Sequence, residues 1–363
     1  MVKQRFLILL STVFGLLTIY SCTPKQETSR IPTEKEMGAY LFVYFTDPTH
    51  SLFMATSRDG YSFTAVNNGQ PVMAGDTLAT QKGIRDPHIY RGPDGAFYLA
   101  MTDLHIFGKD KGYRETQWER PGELYDWGNN HGFVLMKSFD LINWTRSVVH
   151  VDALFPELGE IGCAWAPETI YDPVQEKMML YFTMRLGGKG NKTKLYYAYT
   201  DDDFTKLVTK PELLFNYPNP DVQILDADIT ALPDGRYCMM YVAQEAPTGI
   251  RMAFSDSIHT GYKHEELWAD AEPGACEAPN VWKRIGEDKW VLMYDIYSIQ
   301  PHNFGFVETS DFKTFESLGH FNEGKMKITN AVSPKHGAII QITEEEADRL
   351  DNYWKKNQSN YSF

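Results

Sequence analysis

A turn motif that recurs five times is the feature of this chain that most restricts its fold. Each copy follows a short run of strand-forming residues and places an Asp directly or two residues after a Ser or Thr, and most copies then add an aromatic residue. Such side chains bond nearby backbone in tight turns. The copies occupy residues 57–63, 138–144, 200–204, 255–258 and 310–315, at intervals of about 55 to 80 residues. Four-stranded units at this period predict an all-β, five-bladed β-propeller.

Hairpin signals fill the intervals between these turns. The turn Gly92-Pro93-Asp94-Gly95 lies between two runs of β-branched and aromatic residues, and Gly286 lies at the centre of a second hairpin over residues 281–295. Helical periodicity is nearly absent until Thr343 and Glu346, which form a capping-box pattern and predict a short helix ending near Leu350.

A propeller must close into a ring. We therefore predict that an N-terminal strand over residues 40–46 pairs with residues 338–343 in a blade that both ends of the chain share. A two-domain β-sandwich is the alternative, but the chain has no Pro/Gly/Ser-rich linker to divide it. Residues 38–363 are thus predicted to be a single catalytic propeller domain with a short C-terminal helix.

The first 22 residues have the pattern of an export signal. Lys3 and Arg5 precede an apolar stretch over residues 6–20 that is too short for a comfortable membrane span. The stretch ends in Leu-Thr-Ile-Tyr-Ser-Cys, which resembles a bacterial lipobox with Cys22 as the lipid attachment residue. The alternative is an ordinary signal peptide with a coincidental cysteine. The lipobox predicts an exported lipoprotein, periplasmic or at the cell surface, whose only membrane contact is the lipid and whose residues 23–37 are a polar tether.

Charge and cysteine content exclude some function classes. The net charge of −13 argues against a nucleic-acid partner, because neutralising phosphates needs clustered Lys and Arg. Beyond Cys22, the chain has Cys163, Cys238 and Cys276, which is an odd number without metal-ligand spacing. We expect these three to be small buried hydrophobic residues.

Three short acidic segments carry the candidate chemistry. They contain Asp86, Asp226 and Glu277, and each opens a predicted hairpin in a different blade. Inner strands run beside the central channel of a propeller, so residues at their ends can meet at one mouth. Inverting glycosidases need a general base and a general acid roughly 6.5–9.5 Å apart, and a third carboxylate near the acid raises its pKa. We expect at most one of Asp226 and Asp228 to face the channel.

These segments resemble glycoside hydrolase family 43, whose members are five-bladed propellers that cleave arabinose- and xylose-containing glycans with inversion. The Arg-Asp-Pro-His-Ile segment matches the family's first-blade motif and implies that Asp86 is the general base. The Leu-Asp-Ala-Asp-Ile segment implies that Asp226 tunes the pKa of the acid, although Ala227 stands where the family often has Pro. The Glu-Ala-Pro segment implies that Glu277 is the general acid.

The resemblance extends to two further segments. Residues 165–168, Trp-Ala-Pro-Glu, match the second-blade signature and imply that Trp165 lies near the bound sugar. Residues 335–337, Lys-His-Gly, match the fifth-blade element, whose histidine often holds a cation in the central channel through waters. This implies a structural calcium near His336, whereas the alternative is a plain buried histidine. No cofactor is expected to be required for catalysis.

Other residues are candidates for substrate binding. Arg85 and His88 flank Asp86, and Asp103 ends a predicted strand on the same side, where it could bond sugar hydroxyls or only cap a turn. Residues 104–131 form a long insertion that carries Trp127, and long loops in compact domains are commonly functional. This loop could wall one end of the cleft and favour removal of single terminal sugars, or it could simply pack on the surface.

The sequence therefore predicts an inverting, exo-acting glycoside hydrolase of plant-type polysaccharides, with α-L-arabinofuranose as the leading sugar. A β-xylosidase, a galactofuranosidase and an exo-galactosidase stay open, because the motifs state the chemistry and not the sugar. A retaining fructan-type hydrolase would need an Asn-Asp-Pro-Asn-Gly motif, but residues 45–49 read Phe-Thr-Asp-Pro-Thr. A non-catalytic glycan-binding propeller would lose a carboxylate, and all three are present here.

Overall fold

The computed structural model describes residues 31–113, 122–125, 129–246 and 248–357, and it shows five β-sheets arranged as blades. The first strands are β1 (Met37–Phe45), β2 (Leu52–Ser57) and β3 (Ser62–Ala65). Blade 1 comprises β4 (Ile84–Arg91), β5 (Phe97–Asp103), β6 (Gly132–Ser138) and β7 (Thr145–His150). Blade 2 comprises β8 (Ile161–Asp172), β9 (Lys177–Leu186), β10 (Lys194–Tyr199) and β11 (Glu212–Leu213).

The remaining elements complete the ring. Blade 3 comprises β12 (Ile224–Ala231), β13 (Tyr237–Ala243), β14 (Gly249–Ser255) and β15 (Lys263–Glu265). Blade 4 comprises β16 (Glu277–Lys283), β17 (Trp290–Ile296), β18 (Asn303–Thr309) and β19 (Glu316–His320), and the last strands are β20 (Lys327–Thr329) and β21 (Lys335–Thr343). The described helices are α1 (Gly75–Leu78), α2 (Gly122–Tyr125), α3 (Val151–Leu154) and α4 (Glu344–Asn357), with short 3-10 helices at Glu34–Glu36, Asn67–Gly69 and Pro156–Leu158.

The fifth blade joins the two ends of the propeller, as predicted. Its strand order is β20-β3-β2-β1-β21, so the C-terminal strand β21 is the inner strand and pairs antiparallel with β1. Leu41 lies opposite Ile340 and Val43 lies opposite Ala338. The all-β five-bladed fold, with its ring closed by N- and C-terminal strands, is confirmed.

The recurrent turn motif connects the third and fourth strands of each blade. In four of the turns the Asp accepts hydrogen bonds from backbone N–H groups that follow it in the chain, and in the turn at residues 255–258 the Ser255 hydroxyl accepts from the Ser257 N–H at 3.0 Å. Asp59 Oδ1 accepts from the N–H groups of Tyr61 and Ser62, both at 2.7 Å, and Asp311 Oδ1 accepts from Lys313 and Thr314, both at 2.8 Å. The repeat was readable in the sequence because each turn is held by its own local side chains.

Aromatic and aliphatic side chains fill the spaces between neighbouring blades. Between blades 4 and 5, for example, the rings of Phe42 and Phe304 lie 5.6 Å apart and those of Phe306 and Phe321 lie 4.5 Å apart, each pair edge to face. Such pairs prefer this geometry and add to the stability that burial supplies. Cys163, Cys238 and Cys276 are buried, as expected.

Helix α4 packs against β1 and β21 and is longer than predicted. Its N-terminus has the expected capping box, in which Glu346 accepts from the Thr343 N–H at 2.8 Å and donates its own N–H to the Thr343 hydroxyl at 3.2 Å. The helix continues past Leu350 because Trp354 extends the buried stripe by another turn. None of the helices in the described part of the chain has the length and apolar character that a transmembrane span requires.

Candidate active site

Every inner strand of the propeller carries an irregularity at the position of its motif. In β4, β8, β12 and β16 the ladder skips two residues, and the first of each skipped pair has a positive φ: Asp86 at 53°, Ala166 at 44°, Asp226 at 49° and Ala278 at 57°. In β21 the skipped residue is His336. The second skipped residue is a proline in blades 1, 2 and 4, where its missing N–H breaks no ladder bond. Ala227 occupies the same position in blade 3.

Polar side chains from one blade hold the bulge of the next. Thr102 Oγ1 on β5 accepts from the Ala166 N–H at 2.9 Å, and Thr183 Oγ1 on β9 accepts from the Asp226 N–H at 2.9 Å. Asp295 Oδ2 on β17 accepts from the His336 N–H at 3.2 Å. These bonds satisfy backbone N–H groups that the irregular ladder would otherwise leave unpaired in a buried place.

The irregular strands bring the three predicted catalytic carboxylates to one cavity of about 260 Å³. Asp86 and Asp226 reach it from the bulge position itself, while Glu277 reaches it from the residue before the bulge. The full lining is Arg85, Asp86, Leu104, Trp165, Arg185, Thr193, Gln223, Leu225, Asp226, Gln244, Glu277 and His336. The cavity is therefore built by the inner strands of all five blades together with a few side chains near their mouth.

The surroundings of Asp86 keep it ionised. Its Oδ1 lies 3.2 Å from His336 Nδ1, and its Oδ2 accepts a hydrogen bond from the Thr102 hydroxyl at 2.7 Å. Burial acts to raise the pKa of Asp86, but the charge and hydrogen bond of His336 and the charge of Arg85 outweigh it and hold that pKa well below its usual range. The same contact raises the pKa of His336 to about 9 against the effect of its burial. The two side chains form a buried ion pair at neutral pH.

The other two carboxylates are shifted in the opposite direction. Burial raises the pKa of Glu277 to about 8, and the neighbouring Asp226 and Asp295 carboxylates add to this effect. Burial likewise raises the pKa of Asp226 to about 6. One cavity thus holds an ionised carboxylate and a protonated carboxyl group at neutral pH, which is the division of roles that general base and general acid require.

Of the predicted substrate-binding residues, Arg85 and Trp165 lie on the cavity wall, whereas Asp103 and His88 lie away from it. Arg85 is held by an ion pair with Asp47 at 2.9 Å. Asp103 is buried outside the cavity, where it accepts from the backbone N–H groups of Thr80 and Gln81 at 3.1 and 2.8 Å. It therefore acts as a cap of a neighbouring loop. Trp127 lies outside the described residues, as do Cys22 and the rest of the predicted signal segment.

His88 and Asp228 form part of a buried layer beneath the cavity. His88 Nδ1 accepts from the Thr169 N–H at 3.2 Å, and burial lowers its pKa to about 3, so the ring is neutral. Asp228 accepts from Asn280 Nδ2 at 2.8 Å on the next inner strand. Residues two apart on a regular strand share a face, but the bulge at residues 226–227 separates Asp226, which lines the cavity, from Asp228, which does not. Both side chains are buried among residues of the inner strands.

A cation near His336 stays a prediction. His336 is paired with Asp86, and the described group with metal-ligand spacing is instead His88, Glu168 and Asp228, whose ligand atoms lie within 4.8 Å of one another. Calcium prefers oxygen ligands, and the His336 nitrogen that faces Asp86 carries a proton in the ion pair. The residues around His336 therefore do not fit a directly bound ion, and no step proposed below uses one.

Several cavity residues gave no signal in the sequence. Arg185, Thr193, Gln223 and Gln244 come from strand ends of blades 2 and 3 that contain none of the recognised motifs. Asp295 and Lys335 stand behind the cavity, where Lys335 Nζ lies 3.7 Å from Asp295 Oδ2. Asp295 could have been identified from the predicted hairpin, because it is paired directly opposite Glu277.

Comparison with known proteins agrees with this geometry. A family model described as a probable glycosyl hydrolase domain, related to family 43, matches residues 35–348. The GH43 protein BlXynB from Bacillus licheniformis is similar in structure, with a TM-score of 0.51 and 14% identity over 84% of this chain and 56% of that one. The α-L-arabinanase of Cellvibrio cellulosa, solved with arabinohexaose, has a TM-score of 0.50 and 12% identity over 77% of this chain and 91% of that one. At these identities the two structures establish the fold alone, and no curated protein matches the chain. The chain belongs to the family of glycosyl hydrolase domains related to glycoside hydrolase family 43.

Proposed function

We propose that this protein is an inverting, exo-acting glycoside hydrolase that removes terminal sugars, foremost α-L-arabinofuranose, from plant-type polysaccharides or oligosaccharides. The observation that carries the proposal is the meeting of Asp86, Asp226 and Glu277 in one cavity with pKa values shifted in opposite directions. A propeller that only binds glycans would not need carboxyl groups whose pKa values are shifted in opposite directions.

In the proposed reaction, Asp86 accepts a proton from a water molecule as the water oxygen attacks the anomeric carbon. Glu277 donates its proton to the glycosidic oxygen while the bond between that oxygen and the anomeric carbon breaks. The new bond forms on the face opposite the leaving group, so the configuration of the sugar is inverted. Asp226 raises the pKa of Glu277 and thereby helps it to hold the proton until it is needed.

The volume of the cavity supports an exo mode of action. About 260 Å³ suits one or two sugar units better than a long stretch of polysaccharide, and Trp165 offers an apolar face for a sugar ring. Neither observation distinguishes arabinofuranose from xylose or from the furanose and pyranose forms of galactose.

The test uses nitrophenyl glycosides of α-L-arabinofuranose, β-xylopyranose, β-galactofuranose and β-galactopyranose. Release of nitrophenol identifies the sugar, and NMR of the first product gives its anomeric configuration. Glu277→Gln and Asp86→Asn should each lower turnover by about 10²–10⁴-fold. Asp288→Asn is the matched control, since Asp288 is exposed in the turn at the far end of the Glu277 hairpin and should keep wild-type turnover.

Three results would contradict the proposal. They are retention of configuration, wild-type turnover in either active-site variant, and binding of sugars without cleavage of any of them. Circular dichroism of each variant separates loss of chemistry from loss of fold.

We also propose that the chain is exported and lipid-anchored at Cys22. The support is the sequence pattern of residues 1–22 alone, since these residues lie outside the described part. Cys22→Ser should release the protein from the membrane fraction of expressing bacteria while leaving its hydrolase activity intact. A variant that stays membrane-bound would contradict the anchor without affecting the proposed reaction.

A further inference from the structure

One wall of the same cavity is formed by cationic and neutral polar side chains and not by carboxylates. It is formed by Arg185 at the end of β9, by Thr193 before β10, by Gln223 before β12 and by Gln244 after β13. Gln223 Nε2 donates to Gln244 Oε1 at 3.0 Å, and Gln244 is exposed at the rim. This wall, which we call the Arg185 wall, therefore leads from the catalytic carboxylates toward solvent.

Among the described residues, Arg185 is a buried cation that contacts no carboxylate. Its side chain is only 3% exposed, and a guanidinium has five N–H donors. In the described part of the chain its hydrogen bond is from Nη2 to the Tyr125 carbonyl, its Nε has no partner, and no carboxylate lies within ion-pair distance. The Thr193 hydroxyl in the same wall is also buried without a partner.

The other buried arginines of the propeller each have the carboxylate partner that Arg185 lacks among the described residues. Each of them contacts a carboxylate oxygen: Arg85 with Asp47 at 2.9 Å, Arg251 with Glu245 at 3.3 Å and Arg284 with Glu308 at 2.5 Å. Burying a charge is costly unless it is paired, so an unpaired guanidinium that lines a cavity calls for an anion from a ligand.

We propose that Arg185 binds the carboxylate of a hexuronate unit in the substrate, an inference that rests on the proposed function and names its substrate class. The planar guanidinium matches the two oxygens of a carboxylate, and the Thr193 hydroxyl lies in the same wall to assist. The uronate is the unit to which the cleaved sugar is attached. A further carboxylate placed between Asp86, Asp226 and Glu277 would be repelled, whereas the Arg185 wall is formed by other residues that include a cation.

The experiment compares two substrates that differ by one charge. The terminal sugar that the enzyme accepts is joined either to galacturonate or to the methyl ester of galacturonate. Hydrogen bonds between charged groups are typically strong enough to give a preference of about 10- to 100-fold, and we expect kcat/KM to favour the galacturonate substrate by this factor. Arg185→Gln should reduce that ratio to near one, and Arg185→Lys should keep part of it because it keeps the charge.

Lys192→Gln is the matched control. It removes a positive charge one residue from Thr193, but Lys192 is exposed and does not line the cavity, so the ratio should stay at its wild-type value. Binding of free galacturonate and of its methyl ester, measured by titration calorimetry, gives a readout that does not depend on turnover. Wild-type protein should bind the acid more tightly than the ester, and Arg185→Gln should not.

Two outcomes would overturn the inference. One is equal kcat/KM and equal binding for the acid and the ester in wild-type protein, and the other is a preference for the acid that survives in Arg185→Gln. Either result with active enzyme would leave the proposed hydrolase function standing. Absence of cleavage together with Arg185-dependent galacturonate binding would refute the hydrolase and keep the uronate site.

Discussion

Replacing His336 with glutamine should raise the pKa of Asp86 and move the acid limb of the activity profile upward. The two side chains approach to 3.2 Å. Unit charges at that distance interact by about 5 kcal/mol at an effective dielectric constant of about 20, which corresponds to about 3 to 4 pKa units. Glutamine can still donate a hydrogen bond to the carboxylate, so we expect a net upward shift of about 2 to 3 units.

The assay is kcat/KM as a function of pH, because this quantity reports the ionisation of the free enzyme. In wild-type protein Asp86 stays ionised far into the acid range, so the acid limb should lie well below the ordinary pKa of an aspartate. In His336→Gln the acid limb should move upward by about 2 to 3 pH units. The alkaline limb reports Glu277, whose pKa is about 8, and should rise by a smaller amount, because the His336 charge also lowers that pKa but burial dominates it.

His259→Gln is the control for loss of a histidine next to a carboxylate. His259 Nδ1 lies 3.6 Å from Asp172 Oδ2, but neither residue lines the cavity. This variant should keep the wild-type profile. If His336→Gln also keeps the wild-type acid limb, His336 does not set the ionisation of Asp86 and the assignment of Asp86 as an electrostatically tuned base fails.

The same ion pair should be visible in stability. A histidine whose folded pKa is raised contributes stability that is present below its unfolded pKa of about 6.5 and is lost as pH rises. For His336 the loss should be complete above its folded pKa of about 9. Urea unfolding of wild-type protein should therefore show a larger fall in the free energy of unfolding between those two pH values than His336→Gln shows.

Three further variants test other parts of the structure. Asp226→Asn removes a negative charge beside Glu277 and should lower the alkaline limb of the kcat/KM profile, whereas an unchanged limb would show that burial alone sets that pKa. Asp103→Ala leaves two backbone N–H groups without an acceptor and should destabilise the fold by about 1–3 kcal/mol in urea unfolding without raising KM, and a raised KM would restore Asp103 to the substrate site. Ala227→Pro should leave the melting temperature nearly unchanged, because that position is skipped by the ladder, while Ile229→Pro should cost about 3 kcal/mol or more because its N–H is bonded.

The five blades were predictable from the sequence because their turns are local. A Ser, Thr or Asp side chain within a few residues holds each turn, so the period of the motif survives in the sequence whatever the blades pack against. Convergence of Asp86, Asp226 and Glu277 was also predictable, since each opens an inner strand. These predictions needed the order of the strands and not the positions of individual side chains.

The bulges were not predictable, because contacts between blades stabilise them. Alanine does not favour a positive φ, yet Ala166 adopts one where the Thr102 hydroxyl of the preceding blade accepts its N–H. A bulge also changes which side chains face the channel, so Asp228 could not be placed by simple alternation. The role of Arg185 was not predictable for a related reason. It depends on the lack of a carboxylate partner among the described residues, and a sequence does not show which charges are left unpaired.

Closure of the ring by β1 and β21 has a consequence for the order of folding. Residues Ala39 to Phe45 of β1 are buried in the finished ring, and their partner strand is the last one in the chain. During synthesis the apolar edge of β1 therefore stays unpaired and prone to aggregation until β21 has been made. Strand β21 also carries His336, so the pairing that closes the propeller also gives Asp86 its counter-charge.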